Sequence, residues 1–584
     1  MRTFRIAINM AGAISAGAYT AGVLDFLTEA LDAWYRAKSG GELVPAHNVS
    51  IDVFSGASAG VMCAAISAIL LQDEFEHISD TSKTKTSNRF YESWVNMIDI
   101  RELLKTKDLK NPGPVVSLLD STIIDTIADY ALVRGKPMPA PRAYVSPDLT
   151  LFLSLTNLRG VVYSLTGVAP GSVEETTFFY GDRIRFQTVG DDSKMPLADA
   201  AYVVGLSTSQ GDWTVLRTAA KATGAFPVFL APRALSRRQS DYTPPLWESR
   251  ASATKDEPPP ICPSFPAGLP DPFVTLNVDG GVTNNDPFNY AHDYLASLDP
   301  PAPDKQLETD PCQADRAVLS IAPFPTTESF TVNYDTDANS SVLRALPRLF
   351  SALVSQSRFF GESLSHLMRG TTFSHFVVAP SDDELVKQHK QASTKDKAMP
   401  EALQCAALGA FGGFFERGFR AHDYALGRRN CQKFLLDHFV LPSDNVIMKE
   451  ALATLTAEVR ARIMSEFGRN APKGPDGKPL AYPSDSVVTA ETVWLPLVPL
   501  CTPELREPIA PIARFQMRDA DLDDVVDLIS ERFQAVVSVM LNSIHDWGLR
   551  LFLRPGPWFI AHLGRGMLKQ ALVKELGDSY RSGS

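Results

Sequence analysis

The chain reads as an α/β protein, a three-layer α/β/α sandwich on a mostly parallel sheet with helical additions towards the C-terminus. Three observations predict it. A short apolar strand, Phe4–Asn9, runs into a Gly/Ala loop at 10–17 and then a stretch at 18–38 with apolar residues at helical spacing. The order repeats in Asp52-Val-Phe-Ser, an apolar strand followed by a helix of small residues, Ala59–Leu71. Strand, helix, strand, helix at this spacing gives parallel strands with helices on both faces. Further apolar runs predict strands at Leu149–Ser154, Val161–Leu165, Val274–Val278, Ala317–Ala322 and His375–Ala379.

The N-terminus admits a second reading. Arg2 and Arg5 precede 19 uncharged residues, Ile6–Leu24, with Ala-x-Ala steps, as in a secretory signal. Asn9, Gly12, Ser15, Gly17 and Gly22 dilute that stretch and no leucine occurs before Leu24, so the first strand of the sheet is expected instead. Nine prolines at 236–272 mark a long surface excursion, and 299–312 is a shorter one. Helices are expected at 341–370 and 402–440, a Pro-rich connection at 472–511 and a helical segment at 519–577. The organisation expected is a catalytic domain over 1–330, a helical and strand region over 331–442 completing its core, and a connection with C-terminal helices over 443–584.

The 584 residues are 45% apolar, enough for a sizeable core, and carry a net charge of −11. That balance argues against a general nucleic-acid binder, which needs a basic surface. Six cysteines are scattered without a C-x-x-C, as in a reduced, cytoplasmic chain.

The chemistry centres on Gly56-Ala57-Ser58-Ala59-Gly60, a G-x-S-x-G between strand and helix. A serine on such an elbow needs neighbours without side chains two residues either side, and it sits at a helix N-terminus that favours developing negative charge. The pattern alone arises by chance in on the order of one in ten chains of this length, so its weight comes from the flanking strand and helix. Loops after neighbouring parallel strands meet above the carboxyl edge of the sheet. The loop Ala11–Gly17 should therefore face Ser58, its backbone amides placed to act as oxyanion donors. A dinucleotide fingerprint is a poor fit there, because Ile14 stands where its middle glycine belongs. A helix-packing loop needing small residues is the plainer alternative. Val278-Asp279-Gly280-Gly281 ends a strand with an acid and two glycines, which suits a base beside the serine as well as a polar turn.

Together these residues resemble the patatin-like phospholipase family, in its large bacterial type. Gly17–Leu24 is similar to the helix after the family's Gly-rich oxyanion loop. Gly56–Gly60 matches the nucleophile elbow and Asp279-Gly-Gly the dyad aspartate motif. Thr218–Pro232 resembles the small-residue helix that shapes the family's pocket, and Arg420–Asn430 a downstream stretch of large members. The resemblance implies lipid acyl-ester hydrolysis by a Ser58–Asp279 dyad through an acyl-enzyme, with the amides of Gly12, Ala13 and Ile14 as oxyanion donors, a lipid substrate as partner and neither metal nor organic cofactor. It differs in one place. Ala13 and Ile14 stand where the family has glycines, and Ala16 where it has Arg or Lys. A positive φ at Ala13 or Ile14 would cost of order 1 kcal/mol or more. Two other readings remain: an esterase with a Ser–Asp–His triad, and a non-catalytic lipid-binding scaffold.

Other features are expected to be structural. Asp335–Asn339 starts like a calcium loop, but Ser340 and Leu346 replace its glycine and its glutamate. Asn48 and Asn339 are glycosylation acceptors only in a secreted chain. Arg420, His422, Asp423, Arg428 and Arg429 are expected to form a polar network rather than a headgroup site. Trp547–Leu576 has a net charge of +4 with four large aromatic residues. Packing on the core is preferred there to peripheral contact with a membrane.

Overall fold

The computed structural model describes residues 2–581 except 111–112, 134, 137, 166–174, 190–201, 206–212, 243–261, 304–305, 326–335, 337–351, 353–372, 392–400, 474–487, 489–490 and 543–555. Among the described residues a nine-stranded sheet runs in the order β5-β4-β3-β2-β1-β8-β9, with β7 pairing β3 and β6 pairing β7. Its strands are β1 (Thr3–Met10), β2 (Asn48–Gly56), β3 (Val145–Leu165), β4 (Glu175–Val189), β5 (Tyr202–Gly205), β6 (Arg233–Arg237), β7 (Phe273–Asp279), β8 (Arg316–Ile321) and β9 (His375–Val378). The centre, β3-β2-β1-β8-β9, is parallel throughout. Antiparallel pairs are confined to β3–β4, β3–β7 and β6–β7.

Helices cover both faces. Ile6, Ile8, Met10, Ile51 and Phe54 point to one side, where they meet α1 (Gly17–Ser39) and α2 (Ala59–Leu70) in the main core. Ala7, Val53 and Val318 point to the other, against Phe288, Ala291 and Leu295 of α5 (Phe288–Ser297). This alternation along buried central strands is what a two-sided parallel sheet requires. The cavity side also carries α3 (Thr122–Ala131) and α4 (Trp213–Thr223). Downstream lie α6 (Arg417–Asp437), α7 (Asp519–Asn542) and α8 (Gly556–Leu576).

Glycines set how closely α6 lies on α1. A Cβ on Gly22 would fall 2.0 Å from the Tyr424 carbonyl oxygen, and one on Gly427 2.2 Å from that of Tyr19. Each helix therefore gives up a side chain where the other's backbone passes. Arg428 completes the lock by donating to Asp25 at 2.5 Å and to Glu29. Burial alone would raise the Asp25 carboxyl, but Arg428 and the hydrogen bond with His77 outweigh it and hold it below its ordinary value.

Several expected boundaries shift. The strands expected at 149–154 and 161–165 are one strand, β3, because Gly160 at φ +74° kinks the chain without ending it. β4, β5 and β6 escape the apolar pattern. β4 mixes charged residues (Glu175, Asp182, Arg183, Arg185) with its apolar ones, and the excursion expected from 236 begins inside β6. The helix expected over 402–440 starts only at Gly412 and then Arg417, since Leu408, Gly409 and Ala410 all take positive φ. The connection at 472–511 holds a core strand, Trp494–Pro496, paired antiparallel with Val440–Pro442. The helix expected at 341–370 and the loop at 335–339 lie outside the described residues, save for Ala352 and Thr336.

The C-terminal helices bind each other through charge. Lys569 bridges Asp519 and Asp523 of α7, and Arg565 pairs with Asp527. Three acids of α7 thus take up two of the cations that a membrane reading would need; Trp547, Arg550, Phe552 and Arg554 lie outside the described residues. Among the described residues no helix is long and apolar enough to cross a membrane.

Removing one partner of a buried ion pair strands the other charge. Arg428→Ala is therefore expected to lower stability by about 3–5 kcal/mol, measured as the shift in the denaturant midpoint. A change below about 1 kcal/mol would show that the α1–α6 lock does not depend on this pair.

Candidate active site

The site is built where β2 stops. At its last pair Gly56 lies opposite Leu153 of β3, and two residues further along β3, Leu155 pairs with Asp279 of β7. The antiparallel strand β7 thus takes the lane that β2 has vacated and brings Asp279 to the elbow. Ser58 donates its hydroxyl to Asp279 Oδ2 at 2.6 Å. Both residues are buried, Ser58 6% and Asp279 3% exposed, so water does not screen the pair.

Local backbone aims the serine. Ser58 has φ 52° and ψ −125°, a strained conformation for a residue with a side chain, and such strain typically costs ~1–3 kcal/mol. Its hydroxyl does not cap α2, though a serine in that position commonly would. Thr223 holds the backbone instead: its hydroxyl accepts the Ser58 amide at 3.0 Å and donates to the Ser154 carbonyl at 2.7 Å. The elbow glycines are required by β1. A Cβ on Gly56 or Gly60 would lie 2.8 or 2.2 Å from the Met10 carbonyl oxygen.

Asp279 is held at both oxygens. Oδ1 accepts the Gly281 amide at 2.7 Å and Oδ2 the Ser58 hydroxyl. Gly280 lies where a Cβ would be 2.1 Å from the Ser154 carbonyl oxygen, so the Gly-Gly step is a close-approach requirement. Burial pushes the carboxyl up to about 6, against the lowering effect of its two hydrogen bonds.

The loop after β1 faces the serine as expected, but its three amides are not equivalent. Gly12 donates to the Asn285 carbonyl at 3.0 Å, which corrects its expected role as an oxyanion donor. Its lack of a side chain is what matters, because a Cβ there would lie 3.2 Å from Ser58 Cβ and 2.1 Å from Asn285 Oδ1. The amides of Ala13 and Ile14 have no hydrogen-bond partner among the described residues. Ile14 takes φ 48°, the left-handed conformation that its β-branched side chain disfavours, so the cost foreseen for this loop falls on Ile14. Ala13 stays at φ −147°.

Ser58, Asp279 and Ile14 open onto an apolar cavity of about 90 Å³. Its walls come from α2 (Met62, Ile66), the Trp94–Ile98 segment, α3 (Ile124, Ile127, Ala131), α4 with its following turn (Ala220, Gly224, Phe226, Leu230), and Phe411 and Phe414 from downstream. Among the described residues, Lys221 is the charged residue of the lining besides Asp279, and it pairs with Asp125 at 2.7 Å. Among the described residues no histidine lines the cavity, and His47, the nearest to Ser58 in sequence, bonds the Leu497 carbonyl. No group of acidic, Cys or His side chains among the described residues could hold a metal ion. Arg420, His422, Asp423 and Arg428 are buried and Arg429 faces Asp382, a structural network as expected. Sequence reasoning missed Asn285, Thr223 and the downstream phenylalanines. Thr223 lay within the small-residue stretch already singled out; the others had no local signal.

A neutral isostere at position 279 removes a buried charge and keeps both hydrogen-bonding positions filled. A carboxyl whose folded pKa lies above its unfolded value binds its proton more tightly when folded. Its penalty is thus fully present above pH 6 and is relieved as pH falls through about 6. Asp279→Asn should therefore stabilise the protein at pH 8, by at most ~3 kcal/mol, and the gain should fade towards pH 4. An unchanged melting temperature at pH 8 would contradict this.

A patatin-like phospholipase family model matches residues 9–292, which contain the loop, the elbow and the Asp-Gly-Gly turn. The chain is also 34% identical over 478 residues to uncharacterized protein y4iI of Sinorhizobium fredii (strain NBRC 101917 / NGR234). That match covers 76% of this chain and 66% of the relative, just under two thirds of its length. Residues 9–292, just under half of the chain, are thus a domain of the patatin-like phospholipase family.

Proposed function

We propose that the protein is a lipid acyl hydrolase, cleaving acyl esters of phospholipids or related lipids with a Ser58–Asp279 dyad. The observation that carries this reading is the 2.6 Å hydrogen bond from a serine on a strained elbow to a buried carboxylate, both lining an apolar cavity. The acyl chain lies in the cavity, and Ser58 Oγ attacks the ester carbonyl as Asp279 takes its proton. The carbonyl oxygen becomes negative beside the free amides of Ala13 and Ile14, donors already in place that need no reorganisation. Asp279 returns the proton to the leaving alcohol, and then takes one from the water that cleaves the acyl-enzyme. A carboxylate is an ordinary weak base, so its elevation to about 6 brings it towards the range a general base needs. Among the described residues no histidine lines the cavity, which favours the dyad over a triad. Residues 331–442 are read as completing the core of this domain, in line with the packing of α6 on α1. A cytoplasmic setting with contact at membrane surfaces fits a lipid substrate.

Ser58→Ala should abolish both ester turnover and labelling by a fluorophosphonate, and Asp279→Asn should lose about as much, at least ~10³-fold in kcat, because the two act as one unit. Wild-type turnover in either variant would end this reading. As the base must be ionised, kcat/KM should fall on the acid side with a midpoint near 6. An imidazole titrates in the same range, so the variants, and not the profile alone, assign the base.

A further inference from the structure

The family match ends at residue 292, yet the wall of the cavity does not. Phe411 reaches it from a turn far downstream, its ring 5.5 Å from that of Phe226 and 5.4 Å from that of Phe229. Phe414 lines the cavity beside it.

The same turn grips the loop on the other side of the nucleophile. Ser15 follows directly on Ala13 and Ile14 and is fully buried. Its hydroxyl donates to the Ala410 carbonyl at 2.5 Å and accepts the Gly413 amide at 3.1 Å, and its own amide donates to Ala410 at 3.2 Å. Leu408, Gly409 and Ala410, all at positive φ, reverse the chain so that a carbonyl and an amide both reach this one side chain. Gly413 tolerates no Cβ, which would lie 2.6 Å from Ser15 Oγ and 2.3 Å from Cys405 Sγ. Behind the turn, Arg420 donates to the carbonyls of Gly413 at 2.6 Å and Val95 at 3.1 Å, joining it to the Trp94 wall. Asp423 accepts the amides of Gln404 and Cys405 at 2.8 and 2.9 Å.

We infer that the 405–414 turn is a functional part of the active site, outside the family-matched residues. Ser15 is a positioning residue through which the turn fixes the Ala13 and Ile14 amides, and Phe411 sets which acyl chains the cavity admits. The inference rests on Ser58 being the nucleophile. Ser15 makes three hydrogen bonds to one turn, two through its hydroxyl and one through its amide, and these tie the loop's position to that turn. A ring in the wall, packed on Phe226 and Phe229, limits the length of chain that can lie past it.

The test uses the full chain, p-nitrophenyl esters from butyrate to palmitate, and fluorophosphonate labelling located at Ser58 by peptide mass. Phe411 is only partly buried, so its truncation should leave the protein folded. Phe411→Ala should raise the palmitate-to-butyrate ratio of kcat/KM at least ~10-fold, since even one methylene in an apolar pocket is worth about 10–200-fold. Ser15→Ala should lower kcat and the rate of Ser58 labelling ~100-fold, the usual result of a small misplacement of reacting groups. Its KM should change less than about threefold, because the acyl cavity is untouched. A wild-type chain-length profile in Phe411→Ala, together with wild-type labelling in Ser15→Ala, would overturn the inference and leave the nucleophile assignment standing. Failure of wild-type Ser58 to label at all would sink both.

Discussion

One atom, the carbonyl oxygen of Met10, fixes the distance between the two loops of the site. It ends β1, accepts the Ala57 amide at 3.2 Å, and is the group that any side chain at Gly56 or Gly60 would strike. The elbow is therefore tied to the strand that leads into the Ala13–Ile14 loop. The parallel β1–β2 register, Met10 opposite Gly56, sets both ends at one level. Small residues are needed here because backbone meets backbone; reactivity is a consequence of the resulting geometry.

Delivery of the acid follows a different logic. A parallel neighbour would have to end at the same edge, whereas β7 enters antiparallel along the extension of β3 that β2 leaves free. The carboxylate then sits among apolar walls with one hydroxyl and one amide as its partners. That environment makes the charge costly and therefore available to take up a proton. The folded state carries this electrostatic penalty, and the core of the parallel sheet and the α1–α6 lock must offset it.

Local steric demands were legible in the sequence and distant partnerships were not. Gly56, Gly60 and the Gly280-Gly281 step announce close approaches within a few residues of Ser58 and Asp279, so the elbow and the aspartate could be paired before any fold was known. The first strand and helix were equally plain, because buried central strands and amphipathic helices write their period into the chain. β4 and β6 were hidden by charged side chains, among them Arg237 and Asp182, which meet in a buried pair. Gly12 was located correctly but given the wrong task, since the Asn285 carbonyl that occupies its amide lies 273 positions further along the chain. Ile14 in a left-handed conformation is a departure from local preference that only the surrounding structure can enforce.

The reciprocal glycines of α1 and α6 bear on the order in which the chain emerges during synthesis. The face of α1 that carries Tyr19, Gly22 and Asp25 finds its cover in Tyr424, Gly427 and Arg428, which are made some 400 residues later. At ordinary elongation rates of about 5–20 residues per second, that gap corresponds to ~20–80 s. Through that interval the growing chain already contains the elbow and, later, the aspartate, while an apolar helix face beside them is still uncovered. A nascent chain with so long-range a closure calls for protection against aggregation, and the helix that relieves that need is also the one that holds the far wall of the cavity in place.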